Sequence, residues 1–313
     1  VQLFEMRKTS LDTVYAIAKK NKKVIFLGSD LGFKVLDEMR VRLPKNFLME
    51  GICEQNLIGM SAGLAMEGYI PYVNTIGTFL TRRCYEQIFL DICLHDLPVR
   101  LIGNGGGLVY APLGPTHLSV EDFAILRAIP NMTIVSPCDA IEMKKIMLQT
   151  ELYPGPIYIR VARGGDKIIT SKETNVKIGK AVELVKPVEA VFITTGTTTQ
   201  IALDAINSLN SNNYKIGLVH LHTVKPLDST YLKNLFHSTK LAIIVEEHSV
   251  VGGLGSAILE FINDYRIENV RIKRIGIPDK FIEQYGTQET LLKHLKIDRD
   301  NLIQEMKKLL KGN

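Results

Sequence analysis

Short apolar runs alternate along this chain with stretches of helical periodicity. In the first half the strand candidates are Val24-Ile25-Phe26-Leu27, Val99-Arg100-Leu101-Ile102, Thr133-Ile134-Val135 and Ile157-Tyr158-Ile159-Arg160-Val161. In the second half they are Val191-Phe192-Ile193-Thr194, Ile216-Gly217-Leu218-Val219 and Ala242-Ile243-Ile244-Val245. Continuous apolar runs of this length suit strands covered on both faces, as in parallel sheets. Helical stretches fall between them. One spans residues 9–20, with Thr9, Ser10 or Asp12 placed to cap its start. Leu254, Ile258, Leu259 and Ile262 repeat at helical spacing, as do Leu302, Ile303, Met306, Leu309 and Leu310. The alternation predicts α/β layers.

A polar, irregular stretch interrupts the pattern, from Gly164-Gly165-Asp166-Lys167 through Ser171-Lys172-Glu173-Thr174-Asn175 to Lys186-Pro187. Such composition marks a domain boundary. The expected division is a first domain over 1–166, a linker over 167–187 and a second domain over 188–313. Composition changes this picture little: 313 residues, 46% hydrophobic and 23% charged, suit a soluble globular protein. The net charge of +5 is spread along the chain, which argues for solvated helix faces and against nucleic-acid binding. Cys53, Cys84, Cys93 and Cys138 form no metal-binding pattern and read as reduced thiols. No apolar run is long enough to span a membrane, and the N-terminus does not read as a signal peptide, so a cytoplasmic location is expected.

Chemistry concentrates in Gly51-Ile52-Cys53-Glu54-Gln55-Asn56, followed by the small-residue stretch Gly59-Met60-Ser61-Ala62-Gly63-Leu64-Ala65. Small residues let another backbone approach, and helix propensity alone disfavours the glycines. Glu54 at the front of such a helix either complements the helix dipole or pairs with a ligand. Two Gly-rich stretches, 103–107 and 252–255, lack the spacing of a dinucleotide fingerprint. Glu246-Glu247-His248 reads as a strand-end turn or an interface rather than a metal cluster.

Further segments accompany Glu54: Pro71-Tyr72-Val73-Asn74-Thr75-Ile76-Gly77-Thr78-Phe79, Gly114-Pro115-Thr116-His117, Pro130-Asn131-Met132-Thr133 and Gly252-Gly253-Leu254-Gly255-Ser256-Ala257. In this order and spacing the chain resembles the transketolase family over essentially its whole length. Thr78-Phe79-Leu80 followed by Arg82 is similar to deoxyxylulose phosphate synthase of the same superfamily. The resemblance implies two doubly wound α/β domains: a pyrimidine-binding domain with a mostly parallel sheet, and a C-terminal domain. It implies thiamine diphosphate as cofactor, with Glu54 hydrogen-bonding a pyrimidine ring nitrogen so that the cofactor forms its nucleophile. Phe79 matches the aromatic stacked on the pyrimidine, against an ordinary core role. Asp30 matches an acid near the cofactor, against a turn or cap. His117 matches the histidine on the substrate's reacting oxygens, against a solvated loop residue. Arg163 matches an arginine gripping the sugar phosphate; Arg160 matches less clearly and could be structural.

Some positions depart from the family. Leu113 stands where many transketolases have an acid that reads a donor hydroxyl, and Lys34 where a phosphate-contacting Ser is common. Ile76 and Arg82 replace two aromatics around the pyrimidine. No Gly-Asp-Gly occurs among the 313 residues; in the family that segment holds the diphosphate through Mg²⁺. The expectation is that an N-terminal subunit supplies the Mg²⁺ ligands and diphosphate contacts, in an α2β2 heterotetramer. The expected activity is transfer of a two-carbon ketol unit between sugars, and the second domain is assigned to dimer packing. A 2-oxoacid dehydrogenase β subunit and a non-catalytic scaffold are the alternatives.

Overall fold

Twelve strands are described in the computed structural model, which covers residues 5–29, 36–162 and 167–312. The first six are β1 (Val24–Gly28), β2 (Phe47–Met49), β3 (Ile70–Ile76), β4 (Arg100–Asn104), β5 (Thr133–Val135) and β6 (Ile157–Val161). The others are β7 (Val182–Val185), β8 (Ala190–Thr194), β9 (Ile216–His220), β10 (Thr223–Lys225), β11 (Leu241–Ser249) and β12 (Arg271–Ile277). The seven apolar runs all become strands, buried along their length for the reason anticipated: helices cover both faces of each sheet.

The first sheet has the order β10-β5-β6-β4-β3-β1-β2 and is parallel except where β10 meets β5. Helices Met6–Lys20 and Ala140–Thr150 pack on one face, joining Leu11, Val14, Met143 and Ile146 to Phe26 and Ile159. Helix Glu54–Met66 and the segment after β3 cover the other, where Leu57, Ile58, Leu80 and Ile88 meet Leu27, Val73 and Leu101. Each such burial stabilises by roughly 2 kcal/mol. The second sheet has the order β12-β11-β8-β9-β7, parallel except for the β7 edge. Helices Thr198–Asn210 and Arg299–Lys311 cover one face, and Ser229–Ser238 and Leu254–Asp264 the other.

Two strands modify the division read from composition. β7 lies inside the stretch read as linker, yet it pairs with β9 and belongs to the second sheet. β10 comes from the second half but extends the first sheet, pairing with β5. The two layers are further joined by buried polar contacts. Glu142 and His220 form a fully buried pair at 2.8 Å. Glu247 accepts from the Leu108 amide at 2.6 Å, and Arg127 donates to the Gly252 carbonyl at 2.6 Å. Glu246-Glu247-His248 thus lies at the contact between the layers, all three buried on β11.

β1, β3, β4 and β6 all end at one edge of the first sheet, at Gly28, Ile76, Asn104 and Val161. Loops leaving the carboxyl ends of parallel strands are where α/β folds place their ligands.

Candidate functional site

Glu54 is the first residue of helix Glu54–Met66, with Cys53 at the cap position and Gly51 turned into the left-handed region at φ 80°. Its side chain is 2% exposed. A carboxylate so buried needs a charged or hydrogen-bonding partner, and the partner is Arg83, whose Nη1 donates to Oε2 at 2.6 Å. The Arg83 side chain is 42% exposed. Its guanidinium also lies over the Phe79 ring, 4.4 Å from the centroid.

The local backbone brings these groups together. After β3 the chain enters a wide, π-type turn over Phe79–Arg83. Residues four apart in a helical segment share a face, which sets Arg83 beside Phe79. The His117 ring meets Phe79 edge-on, with centroids 5.2 Å apart. His117 follows a tight turn: its amide donates to the Gly114 carbonyl at 3.1 Å, and Thr116 Oγ1 lies 2.9 Å from Nδ1. Glu54, Phe79 and His117 therefore form one cluster through Arg83 and Phe79.

Arg82 faces another way. It donates to the Leu118 carbonyl at 3.1 Å, contacts Thr78 Oγ1 and pairs with Glu121 at 2.8 Å. Burial raises the Glu121 carboxyl above its ordinary range, and the Arg82 charge pulls it back. Thr78 Oγ1 adds a bond to the Leu118 carbonyl at 2.7 Å. Arg82 thus ties the wide turn to the segment carrying His117. Ile76 sits half-buried at the carboxyl end of β3, two residues before Thr78. Asp30, Lys34 and Arg163 lie outside the described residues.

Arg160 supports the His117 segment from beneath. It is 6% exposed, pairs with Asp122 at 3.0 Å, and donates to the Ser119 carbonyl at 2.6 Å and the Glu247 carbonyl at 3.0 Å. His248 stacks on Phe123 at 4.9 Å. Burial drives the His248 pKa down to about 4, although Asp122 favours its charged form.

Two residues absent from the sequence reading stand out, one in this cluster and one in a cavity at the same sheet edge. Arg83 is one: a second arginine beside Arg82, with only the width of the turn to tell them apart. Arg7 is the other. It lines a cavity of about 330 Å³ with Asn104, Gly105, Tyr110, Leu113 and Ala162, at the carboxyl ends of β4 and β6. Its buried Nε has no hydrogen-bond partner among the described residues. A lone arginine at a helix start carries no sequence signal for this.

Residues fit a planar, hydrogen-bonding cofactor ring: a nearly inaccessible carboxylate stands beside a half-buried aromatic, and the cation between them is partly in solvent. They do not fit a Mg²⁺ site. Among the described residues, the cluster at ligand spacing is Cys138, Glu142 and His220. It is buried between the two layers, and its thiol and imidazole do not suit a cation that prefers oxygen ligands.

Fold and site together define a two-domain α/β protein with its ligand groups at the carboxyl edge of a parallel sheet. The family profile for the transketolase pyrimidine-binding domain matches residues 2–165, and that for the transketolase C-terminal domain matches residues 179–302. The chain belongs to the transketolase family. It is 33% identical over 310 residues to a protein of Methanocaldococcus jannaschii named as a transketolase C-terminal section, covering 97% of this chain and 96% of that one. It is 31% identical to one subunit of the apulose-4-phosphate transketolase of Phocaeicola vulgatus, over 95% and 94% of the two chains. A deoxyxylulose phosphate synthase of Geobacter sulfurreducens is 35% identical, but this chain spans only 45% of it. Among solved structures, a split-gene transketolase described as an inactive β4 tetramer superposes with a TM-score of 0.90 at 28% identity, covering 98% of both chains. Among the described residues no helix is long and apolar enough to cross a membrane.

Proposed function

We propose that this chain is the C-terminal subunit of a two-polypeptide transketolase that uses thiamine diphosphate to move a two-carbon ketol unit from a ketose phosphate to an aldose. The observation that carries this reading is that one guanidinium, Arg83, joins buried Glu54 to the Phe79 ring, and that this ring meets His117. When bound, thiamine diphosphate would supply the nucleophilic carbon and electron sink that cleavage of a ketose between C2 and C3 requires. Glu54 holds a ring nitrogen of the pyrimidine through a charge-assisted hydrogen bond, and Phe79 offers that ring an aromatic face. His117 contacts the substrate's reacting oxygens and moves protons between them. Ile76, half-buried at the end of β3, is assigned to the pyrimidine, where the family commonly has an aromatic. Arg82 acts on the site by fastening the His117 segment. Asp30 serves the cofactor, and Lys34, Arg163 and Arg7 serve the anionic end of the sugar.

Contacts to Mg²⁺ and the diphosphate are assigned to a separate N-terminal polypeptide that carries Gly-Asp-Gly, in an α2β2 assembly. Two things support this. No Gly-Asp-Gly occurs in these 313 residues. Relatives aligned nearly end to end are named as a C-terminal section and as one subunit of a transketolase. Helix Glu54–Met66 offers a docking face, since a side chain added at Gly59 or Gly63 would meet nothing within 4 Å. Gly59 and Gly63 accommodate no neighbour among the described residues, whereas Ser61, Ala62 and Ala65 on the same helix face the core.

The test is to mix the chain with the purified N-terminal subunit, thiamine diphosphate and Mg²⁺, and to follow ketol transfer from xylulose 5-phosphate. Turnover is expected with the wild-type chain, and a loss on the order of 100-fold with Glu54→Ala. Equal turnover in both would sink the proposal. Decarboxylation of pyruvate without ketol transfer would instead favour a 2-oxoacid dehydrogenase subunit.

A further inference from the structure

Arg83 makes two contacts that the proposed function reserves for the cofactor's pyrimidine. It donates to Glu54 Oε2 at 2.6 Å, and its guanidinium covers the Phe79 ring at 4.4 Å. A guanidinium and an aminopyrimidine share the relevant chemistry: each is planar, stacks on an aromatic face and presents N–H donors to a carboxylate. Both cannot lie on the same face of Phe79 while donating to the same oxygen. We infer that Arg83 is an internal competitor for the pyrimidine seat, holding Glu54 and Phe79 until the cofactor ring displaces it. The inference rests on the proposed role of Glu54 and Phe79.

Exposure supports this direction of movement. Glu54 is 2% exposed and starts a packed helix, so it cannot follow a leaving partner into water. Arg83 is 42% exposed and ends the wide turn, so it can reach solvent by changing rotamer. Arg82 cannot take its place, because its donors are committed to Leu118 and Glu121. The arrangement has a physical reason. Before assembly, a buried carboxylate without a counter-charge would be strongly destabilising. Arg83 supplies that charge until cofactor and partner arrive. The cost falls on binding: apparent affinity drops by the fraction of molecules in which the seat is open.

Thiamine carries the pyrimidine without the diphosphate, so it probes this seat on the chain alone. It would be titrated into wild type, Arg83→Ala and Arg83→Gln by saturation-transfer NMR, with thermal unfolding recorded in parallel. Arg83→Ala is expected to bind thiamine roughly tenfold more tightly than wild type while melting at a lower temperature. Arg83→Gln keeps an amide donor for Glu54 and guards against misfolding of the alanine variant; it should fall between the two. Adding Glu54→Gln to either variant should abolish the gain. A purely structural ion pair predicts the same loss of stability with unchanged or weaker thiamine binding, and that result would overturn the inference. If thiamine affinity is unchanged while the mixture with the N-terminal subunit still transfers ketol, the competitor role alone falls. If no variant binds thiamine and the mixture is inert, both readings fall.

Discussion

Glu54 and His117 approach Phe79 differently: Glu54 through the guanidinium stacked on the ring, His117 directly at its edge. That geometry separates their expected effects. His117→Ala removes a group assigned to the substrate's oxygens, so turnover of the mixed enzyme should fall by about 100- to 10,000-fold. Thiamine diphosphate affinity, measured by calorimetry on the same mixture, should stay within about threefold of wild type, because that loss is confined to proton transfer. Glu54→Gln should instead weaken cofactor binding. An equal loss of cofactor affinity in His117→Ala would move the histidine into the cofactor site. At this scale Glu54, Phe79 and His117 were legible because each sits in a distinctive short segment. Arg83 was not, because Arg82 and Arg83 lie three and four residues after Phe79, and both spacings share a face in an ordinary helix. Arg7 was hidden for a related reason: the cavity that it lines is formed with residues at the ends of β4 and β6, far off in sequence.

The element that positions His117 is a turn with an unusual requirement. Gly114 is buried with φ 75° and ψ −171°, a conformation that residues with a Cβ rarely adopt. A Cβ there would also lie 2.6 Å from the ring of Tyr285, which reaches over from the second domain. Gly114→Ala should therefore destabilise the protein by roughly 1–3 kcal/mol and reduce turnover by displacing His117. Adding Tyr285→Ala should restore only the steric share, which urea unfolding of the single and double variants would resolve; full restoration would mean that the backbone is unstrained. Tyr285 also gives the second domain a contact with the site beyond packing. Strands show the same limit of sequence reading. The seven uniform apolar runs were legible because nothing but a doubly covered sheet buries them. β3 contains Pro71 and Asn74, and its asparagine is tolerated because Asn104 Nδ2 donates to it at 2.7 Å across the sheet. β12 alternates charged and apolar residues as an exposed edge does, and β2, β7 and β10 are too short to show a period.

Across the whole molecule, the buried polar contacts between the two layers tie stability to pH. Burial holds the pKa of His222 and that of His248 down to about 4. Both start near 6.5 in the unfolded chain, so acidification protonates the unfolded state first. Their contribution is complete above about pH 6.5 and is lost as the pH falls toward 4, on the order of 3 kcal/mol for each. Glu246 opposes this. Burial raises its pKa to about 7, despite the amides of Gly255 and Leu254, so its charged form is unfavourable above that pH and it favours folding as the pH drops. Glu121 and Glu247, also raised by burial, act in the same direction as Glu246. The comparison of variants isolates one of these groups: on urea unfolding, Glu246→Gln should lose stability more steeply than wild type as the pH falls from about 7 to 4.5. Equal slopes would contradict the role of Glu246. The central claim concerns how the two polypeptides share one cofactor. It is tested most directly by calorimetric titration of thiamine diphosphate with Mg²⁺ into this chain, into the N-terminal subunit and into their mixture. The account predicts strong binding only in the mixture, lost when the chain carries Glu54→Gln. Binding of equal strength by the N-terminal polypeptide alone, or by a mixture containing Glu54→Gln, would contradict it.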